Sequence, residues 1–254
     1  MKRIVVLLSG NGSNLQAIID KINAGNINGV IVAVISNNAQ AFGLKRAEKE
    51  NLDTITLNHL EYDNRDLFDA ALLKKLISLS PDLIVLAGFM RILTSKITDY
   101  FDGKIINIHP SLLPLYPGLN THQKVINNND KNHGISIHYV SSKLDAGPLI
   151  AQAAFDVKEI KTKELLEEKI HIIEHSMFPF VIENICLENI RWDKKSKKVI
   201  FKKYLEFKLQ DIKWGEIKVN FKNSYEKIFK AKEGNLSSNI FIKDKISLSS
   251  SMFC

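Results

Sequence analysis

Cysteine is almost absent from this chain: Cys186 and Cys254 are the only two in 254 residues, and they lie far apart without metal-ligand spacing. That excludes a disulfide framework and a zinc finger, and it fits a reducing, cytoplasmic setting. Long apolar runs are missing as well. No stretch approaches the ~18 to 20 apolar residues of a membrane span, and the run Ile4-Val5-Val6-Leu7-Leu8 after Lys2-Arg3 is too short for a secretory signal, so it reads as a first buried strand. Neither GxGxxG nor GxxxxGK[ST] occurs, which removes support for dinucleotide and triphosphate binding. There is no GxSxG, and neither cysteine sits near a histidine in sequence, which disfavours covalent catalysis. No internal repeat is visible.

What remains is an ordinary globular composition, 45% hydrophobic and 25% charged. The net charge of +7 is unevenly placed: residues 192–254 hold 15 Lys against 7 acidic residues, leaving the rest of the chain close to neutral. Short β-branched runs (Ile4 to Leu8, Val30 to Ile35, Leu83 to Ala87, Ile105 to Ile108) alternate with helical periodicity. Phe68, Leu72, Leu76 and Leu79 mark one helix between Asn64 and Ser80; Leu166, Ile170, Ile173 and Met177 mark a longer one. Strand then helix, repeated, predicts an α/β fold with a doubly wound, mostly parallel sheet. Gly134 to Val140 and Leu149 to Phe155 predict two strands at a mixed edge, and two short strands, Ile190 to Trp192 and Lys198 to Tyr204, close the domain. Residues 1–204 form that domain and 205–254 a basic C-terminal extension.

The chemistry-bearing residues fall at strand exits. In an extended Ile105-Ile106-Asn107-Ile108-His109, Asn107 and His109 share a face. A carboxamide and an imidazole there can both donate to a developing oxyanion, and Asp145, in Leu144-Asp145-Ala146-Gly147-Pro148, supplies a carboxylate that favours the charged ring or manages a proton through water. Residue spacing leaves open a plainer reading, a strand-end His with local hydrogen bonds and an Asp serving a Gly-Pro turn. Ser9-Gly10-Asn11-Gly12-Ser13-Asn14 follows the first strand and opens a helix, a placement suited to a phosphate; the alternative is a tight turn with Ser13 or Asn14 as N-cap. Gly88 to Leu93 follows a buried strand at the sheet's carboxyl end, and its Met90, Ile92 and Leu93 suit a flat heterocycle or, equally, ordinary core. His122, His133 and His138 lack the carboxylate or Cys partners of a metal site. Arg65 reads by itself as a solvated charge at a helix start, and Glu174 as a surface partner of His171 or of lysines.

Taken in order, Ser9 to Leu15, Ala41-Phe42-Gly43-Leu44, Leu86 to Leu93, Asn107 to Pro114, Tyr116-Pro117-Gly118-Leu119 and Leu144 to Pro148 give residues 1–204 a strong resemblance to the phosphoribosylglycinamide formyltransferases, folate-dependent enzymes of purine synthesis. The resemblance implies a Rossmann-like formyltransferase fold and a formyl group moved from 10-formyltetrahydrofolate, as co-substrate, to the amine of glycinamide ribonucleotide, without a metal. It makes His109, Asn107 and Asp145 catalytic. Gly12, Ser13, Asn14, His171 and Glu174 would meet the ribonucleotide. Arg65, Met90, Arg91, Ile92 and Leu93, with Asn107, Ser141, Ser142, Lys143, Leu144 and Asp145, would meet the folate. Two positions depart from the family pattern: Asn120 follows Leu119 where a His is usual, and His171 stands where a Gln is expected.

Three competitors keep part of this pattern. A formyltetrahydrofolate hydrolase shares the Asn, His and Asp set but carries an N-terminal regulatory domain, for which a first strand at Arg3 or Ile4 leaves no room. Methionyl-tRNA formyltransferase shares Asn-x-His-Pro-Ser-Leu-Leu-Pro and adds a basic C-terminal domain. A protein binding nucleic acid through its basic tail is the third. The expected partners are otherwise small molecules, with no membrane and with nucleic acid reached only through the tail.

Overall fold

The computed structural model of the protein describes residues 1–202, 216–221 and 225–230. Its framework is a nine-stranded sheet in the order β11-β10-β7-β6-β5-β4-β1-β2-β3. The strands β1 (Lys2–Leu8), β2 (Gly29–Ser36), β3 (Thr54–Thr56), β4 (Leu83–Leu86) and β5 (Ile105–His109) are mutually parallel. Helices cover both faces of this part, so alternate residues of one strand enter different layers. Ile4, Val6 and Leu8 pack with α1 (Ser13–Asn23), α2 (Phe42–Lys49) and α6 (Lys163–Cys186). Val5 and Leu7 pack with α3 (Arg65–Leu79) and α4 (Ser95–Tyr100). Burial on both sides is why these strands read as unbroken apolar runs.

The helices follow their periodicity. Phe68, Leu72 and Leu76 are buried on α3, and Leu166, Ile170, Ile173 and Met177 on α6. The Asn64 side chain caps α3 by accepting from the Leu67 N–H at 3.0 Å, and Ser80 ends it in a left-handed conformation. On α1 the plainer alternative, Ser13 or Asn14 as N-cap, does not hold. Gly12 is the N-cap, at φ 75°, and among the described residues no side-chain hydrogen bond caps the helix. A Cβ on Gly12 would lie 2.6 Å from Gly43 Cα, so the close approach of this loop to α2 requires glycine.

At the other end of the sheet the strands turn antiparallel. β6 (Asn132–Tyr139) pairs with β5, β7 (Leu149–Asp156) with β6, and the chain connects β5 to β6 through α5 (Thr121–Asn127). β8 (Ile190–Asp193) and β9 (Lys198–Phe201) form a separate hairpin that does not join the main sheet. The free edge of β7 is taken instead by β10 (Glu216–Phe221), itself paired with β11 (Tyr225–Lys230). Val219 and Phe221 of β10 are buried, and the Phe221 ring lies about 6 Å from those of Phe180 and Phe201. Part of the expected extension therefore packs against α6 and the hairpin. The rest of the extension, including the nucleic-acid reading attached to it, falls outside the described residues.

Candidate active site

The order β3-β2-β1-β4-β5 reverses direction between β1 and β4, and ligands of open α/β sheets bind at such a switch point, beyond the carboxyl ends of the strands. Two loops meet there. The Ser9 N–H donates to the Gly88 carbonyl at 3.0 Å and the Met90 N–H to Ser9 Oγ at 2.8 Å. The first loop is held from behind by Arg46, which donates to the Asn11 carbonyl and side-chain oxygen at 3.0 and 3.1 Å. Because no side chain among the described residues caps α1, the N-terminal amides of this helix are open to an external acceptor.

Glu174 lies beneath this loop, not on the surface. Its residue is 5% exposed and it accepts from Asn14 Nδ2 at 3.0 Å. Burial pushes its carboxyl up to about 7, an effect only partly opposed by the Asn14 bond. Asn14 Oδ1 is buried with no hydrogen-bond partner among the described residues. One turn before Glu174 on the helix, the exposed His171 ring lies parallel to that of His175, centroids 5.7 Å apart. Burial, reinforced by His171 and Arg46, lowers the pKa of His175.

β5 brings Asn107 and His109 to one face as the alternation requires, and the loop after β6 returns Asp145 between them. Asp145 Oδ2 is 3.5 Å from His109 Nδ1, with both side chains below a tenth exposed. Asn107 Nδ2 donates to Asp145 Oδ1 at 3.5 Å. The carboxylate is fixed by the Gly118 N–H, which donates to Oδ2 at 2.8 Å, and by a left-handed backbone at Asp145, φ 46°. A Cβ on Gly147 would meet the Tyr139 carbonyl at 1.7 Å, so only glycine lets this loop fold so tightly onto β6. His109 Nε2 lies 2.8 Å from the Tyr116 carbonyl. Both ring nitrogens thus face oxygen acceptors, an environment that a ring bearing two N–H groups satisfies completely.

Sequence reasoning missed His138, which it weighed only as a metal ligand. It stands opposite Asn107 in the β5–β6 register. His138 Nδ1 is 2.8 Å from the Tyr139 carbonyl and so carries the proton, leaving Nε2 as acceptor for Asn107 Nδ2 at 3.2 Å. Burial lowers its pKa, against the opposing pull of the Tyr139 carbonyl and Asp145. A neutral imidazole thereby orients the amide. Strand alternation puts Ser136 and His138 on one face; the register that sets them beside Asn107 and His109 is not written in either segment alone.

The other expected residues are distributed around this cluster. Met90 and Ile92 are exposed apolar side chains, 66% and 42%, whereas Leu93 is core and Arg91 lies over the Phe68 ring at 5.1 Å. Ser142, Lys143 and Leu144 are exposed, and Ser141 Oγ donates to the Lys143 carbonyl at 3.3 Å. Arg65 is the exposed first residue of α3, and among the described residues no hydrogen bond or ion pair joins it to the cluster. His122 Nδ1 and His133 Nε2 are 3.0 Å apart; burial pushes them down to about 4 and about 3, so they form a neutral pair. Among the described residues no group of three or more His, Cys, Asp or Glu is placed to hold a metal ion. No helix there is long and apolar enough to cross a membrane.

A doubly wound sheet with Asn, His and a carboxylate gathered at the carboxyl end of β5 defines the class: residues 2–182 match the formyl transferase family. The chain is 46% identical over 179 residues to phosphoribosylglycinamide formyltransferase of Escherichia coli K12, spanning 70% of this chain and 84% of that one. It is 42% identical over 189 residues to the bovine trifunctional purine biosynthetic protein adenosine-3, covering 74% of this chain and 19% of that longer protein. The solved phosphoribosylglycinamide formyltransferase of Coxiella burnetii superposes with a TM-score of 0.75 at 44% identity, over 79% of this chain and 93% of that one. The chain belongs to the phosphoribosylglycinamide formyltransferase family.

Proposed function

We propose that this protein transfers a formyl group from 10-formyltetrahydrofolate to the primary amine of glycinamide ribonucleotide in purine biosynthesis. The observation that carries the reading is the convergence of Asn107, His109 and Asp145 at the carboxyl end of β5, the same end of the parallel sheet from which β1 leads into the N-terminus of α1. The Gly12, Ser13 and Asn14 amides receive the ribonucleotide phosphate, with His171 at its margin, and Glu174 accepts a sugar hydroxyl. Met90 and Ile92 offer an apolar wall and Leu144 a lip for the folate ring, with Arg65, Arg91 and Leu93 completing that side and the Ser141 to Asp145 loop closing it.

Transfer needs charge control at one carbonyl. As the amine nitrogen bonds to the formyl carbon, Asn107 donates to the oxygen through the N–H held only by the long 3.5 Å contact to Asp145. His109, held between Asp145 and the Tyr116 carbonyl, stands beside Asn107 on the same face of β5. The nitrogen's surplus proton leaves toward Asp145 through water; the folate nitrogen takes a proton as its bond to carbon breaks, giving the formamide and tetrahydrofolate. No step needs a metal. Residues 1–204 form the catalytic domain in this reading and 205–254 its basic extension, in a cytoplasmic enzyme with small-molecule partners. The test offers glycinamide ribonucleotide, charged initiator tRNA and water as acceptors: transfer to the ribonucleotide alone is expected, and transfer to tRNA or water in its place would overturn the reading.

A further inference from the structure

Three strands contribute one straight row to the face that carries the site. His109 on β5 stands opposite Ser136 on β6, and Ser136 opposite Gln152 on β7. The last two touch no group that the transfer uses. They hold instead the loop that follows His109. Gln152 Nε2 donates to the Leu113 carbonyl at 2.9 Å and to Ser136 Oγ at 2.8 Å. Ser136 Oγ donates to the Ser111 carbonyl at 2.6 Å and accepts from the Leu113 N–H at 3.0 Å. Ser111 Oγ continues the chain to the Leu115 carbonyl at 2.6 Å.

The next residue, Tyr116, sits at φ 51° and presents its carbonyl to His109 Nε2; two residues on, the Gly118 N–H fixes Asp145. Both acceptors that bracket the imidazole are thus set by residues 111–118. Ser111 and Ser136 are wholly buried, so each lost partner leaves a polar group without water to replace it.

We propose that Gln152 and Ser136 are positioning residues for His109: they clamp the 111–118 loop so that the Tyr116 carbonyl and Asp145 meet the ring from its two sides. This rests on the formyltransferase reading for its kinetic test but not for its structural one. Gln152→Met keeps the length and removes both donors. Ser136→Val and Ser136→Thr differ from each other essentially in the hydroxyl, which keeps the test open should Gln152→Met fail to fold.

With rates measured well below each melting temperature, Gln152→Met and Ser136→Val are expected to lower kcat about 10- to 100-fold, since small displacements of a catalytic group cost that much, with KM for both substrates within about threefold of wild type. Ser136→Thr should restore kcat. In 15N-labelled protein without substrate, the His109 Nε2 resonance should move in Gln152→Met and Ser136→Val and stay in place in Ser136→Thr. Unchanged kcat in a folded Gln152→Met, a rise in KM with kcat retained, failure of Ser136→Thr to rescue, or an unmoved His109 resonance would each overturn the proposal. Absence of transfer by the wild-type enzyme would instead reject the activity, leaving the resonance to decide the clamp.

Discussion

The two ends of the sheet are built differently. From β3 to β5 the strands are parallel, and the central β1, β2 and β4 are apolar on both faces; from β6 to β10 they are antiparallel, with Ile135, Ile137, Ala151, Ala153 and Val219 packed toward α6 and Ser136, His138 and Gln152 on the opposite face. β5 is the seam. Its Ile106 and Ile108 belong to the core shared with α6, and its Asn107 and His109 open onto the polar face of β6. In the proposed reading the parallel end supplies the loop that would receive the anion, and the antiparallel end the groups that would aim Asn107 and His109. Substitutions should therefore separate by region: rate is lost at the seam, stability at the core and the sealed edge.

The largest effect belongs to His109→Ala and Asp145→Asn, each expected to lower kcat about 10²- to 10⁴-fold while leaving the fold intact. Near-normal turnover in either would break the division of labour. Asn107→Ala comes next, raising the barrier by about 2 to 4 kcal/mol, in keeping with loss of one oxyanion donor; an unchanged kcat would reduce the amide to a binding group. Phe221→Ala, at the edge that β10 seals, should show the opposite pattern. It is expected to lower stability by up to about 3 kcal/mol in chemical denaturation, with kcat per folded molecule preserved. Loss of kcat without loss of stability would mean that the extension serves the site directly.

Two smaller effects depend on pH. Between the ordinary carboxylate range and about 7, folded Glu174 holds a proton that the unfolded chain has released, so stability falls as pH rises through that window. Glu174→Gln should flatten this dependence and raise stability above pH 7 by roughly 1 to 3 kcal/mol, while raising KM for the ribonucleotide. His133 has the opposite sign. Buried and neutral down to about 3, it contributes stability that is complete at neutral pH and lost as pH falls from about 6.5, because the unfolded ring then binds the proton first. His133→Gln should shift the acid denaturation midpoint downward; an unmoved midpoint would place that sensitivity elsewhere.

The same contrast explains what could be read before the structure. Runs such as Val5 to Leu8 and Leu83 to Leu86 announce buried parallel strands by composition, and Asn107 with His109 share a face by alternation alone. Glu174 was misjudged as a surface group because its stripe position does not reveal the Asn14 loop lying over it. His138, Ser136 and Gln152 escaped because each matters only through cross-strand register, which neighbouring residues do not encode. The two short strands expected at Ile190 to Trp192 and Lys198 to Tyr204 do not reveal in their own residues that they pair only with each other while β10 takes the edge of β7.

A crystal structure with glycinamide ribonucleotide and a non-reactive analogue of 10-formyltetrahydrofolate tests the central claim most directly. The account predicts the analogue's carbonyl oxygen within about 3 Å of Asn107 Nδ2, beside His109, with the ribonucleotide amine above the carbon and its phosphate on the Gly12–Asn14 amides. A carbonyl bound away from Asn107 and His109, with the His109–Asp145 pair sealed from both ligands, would contradict it.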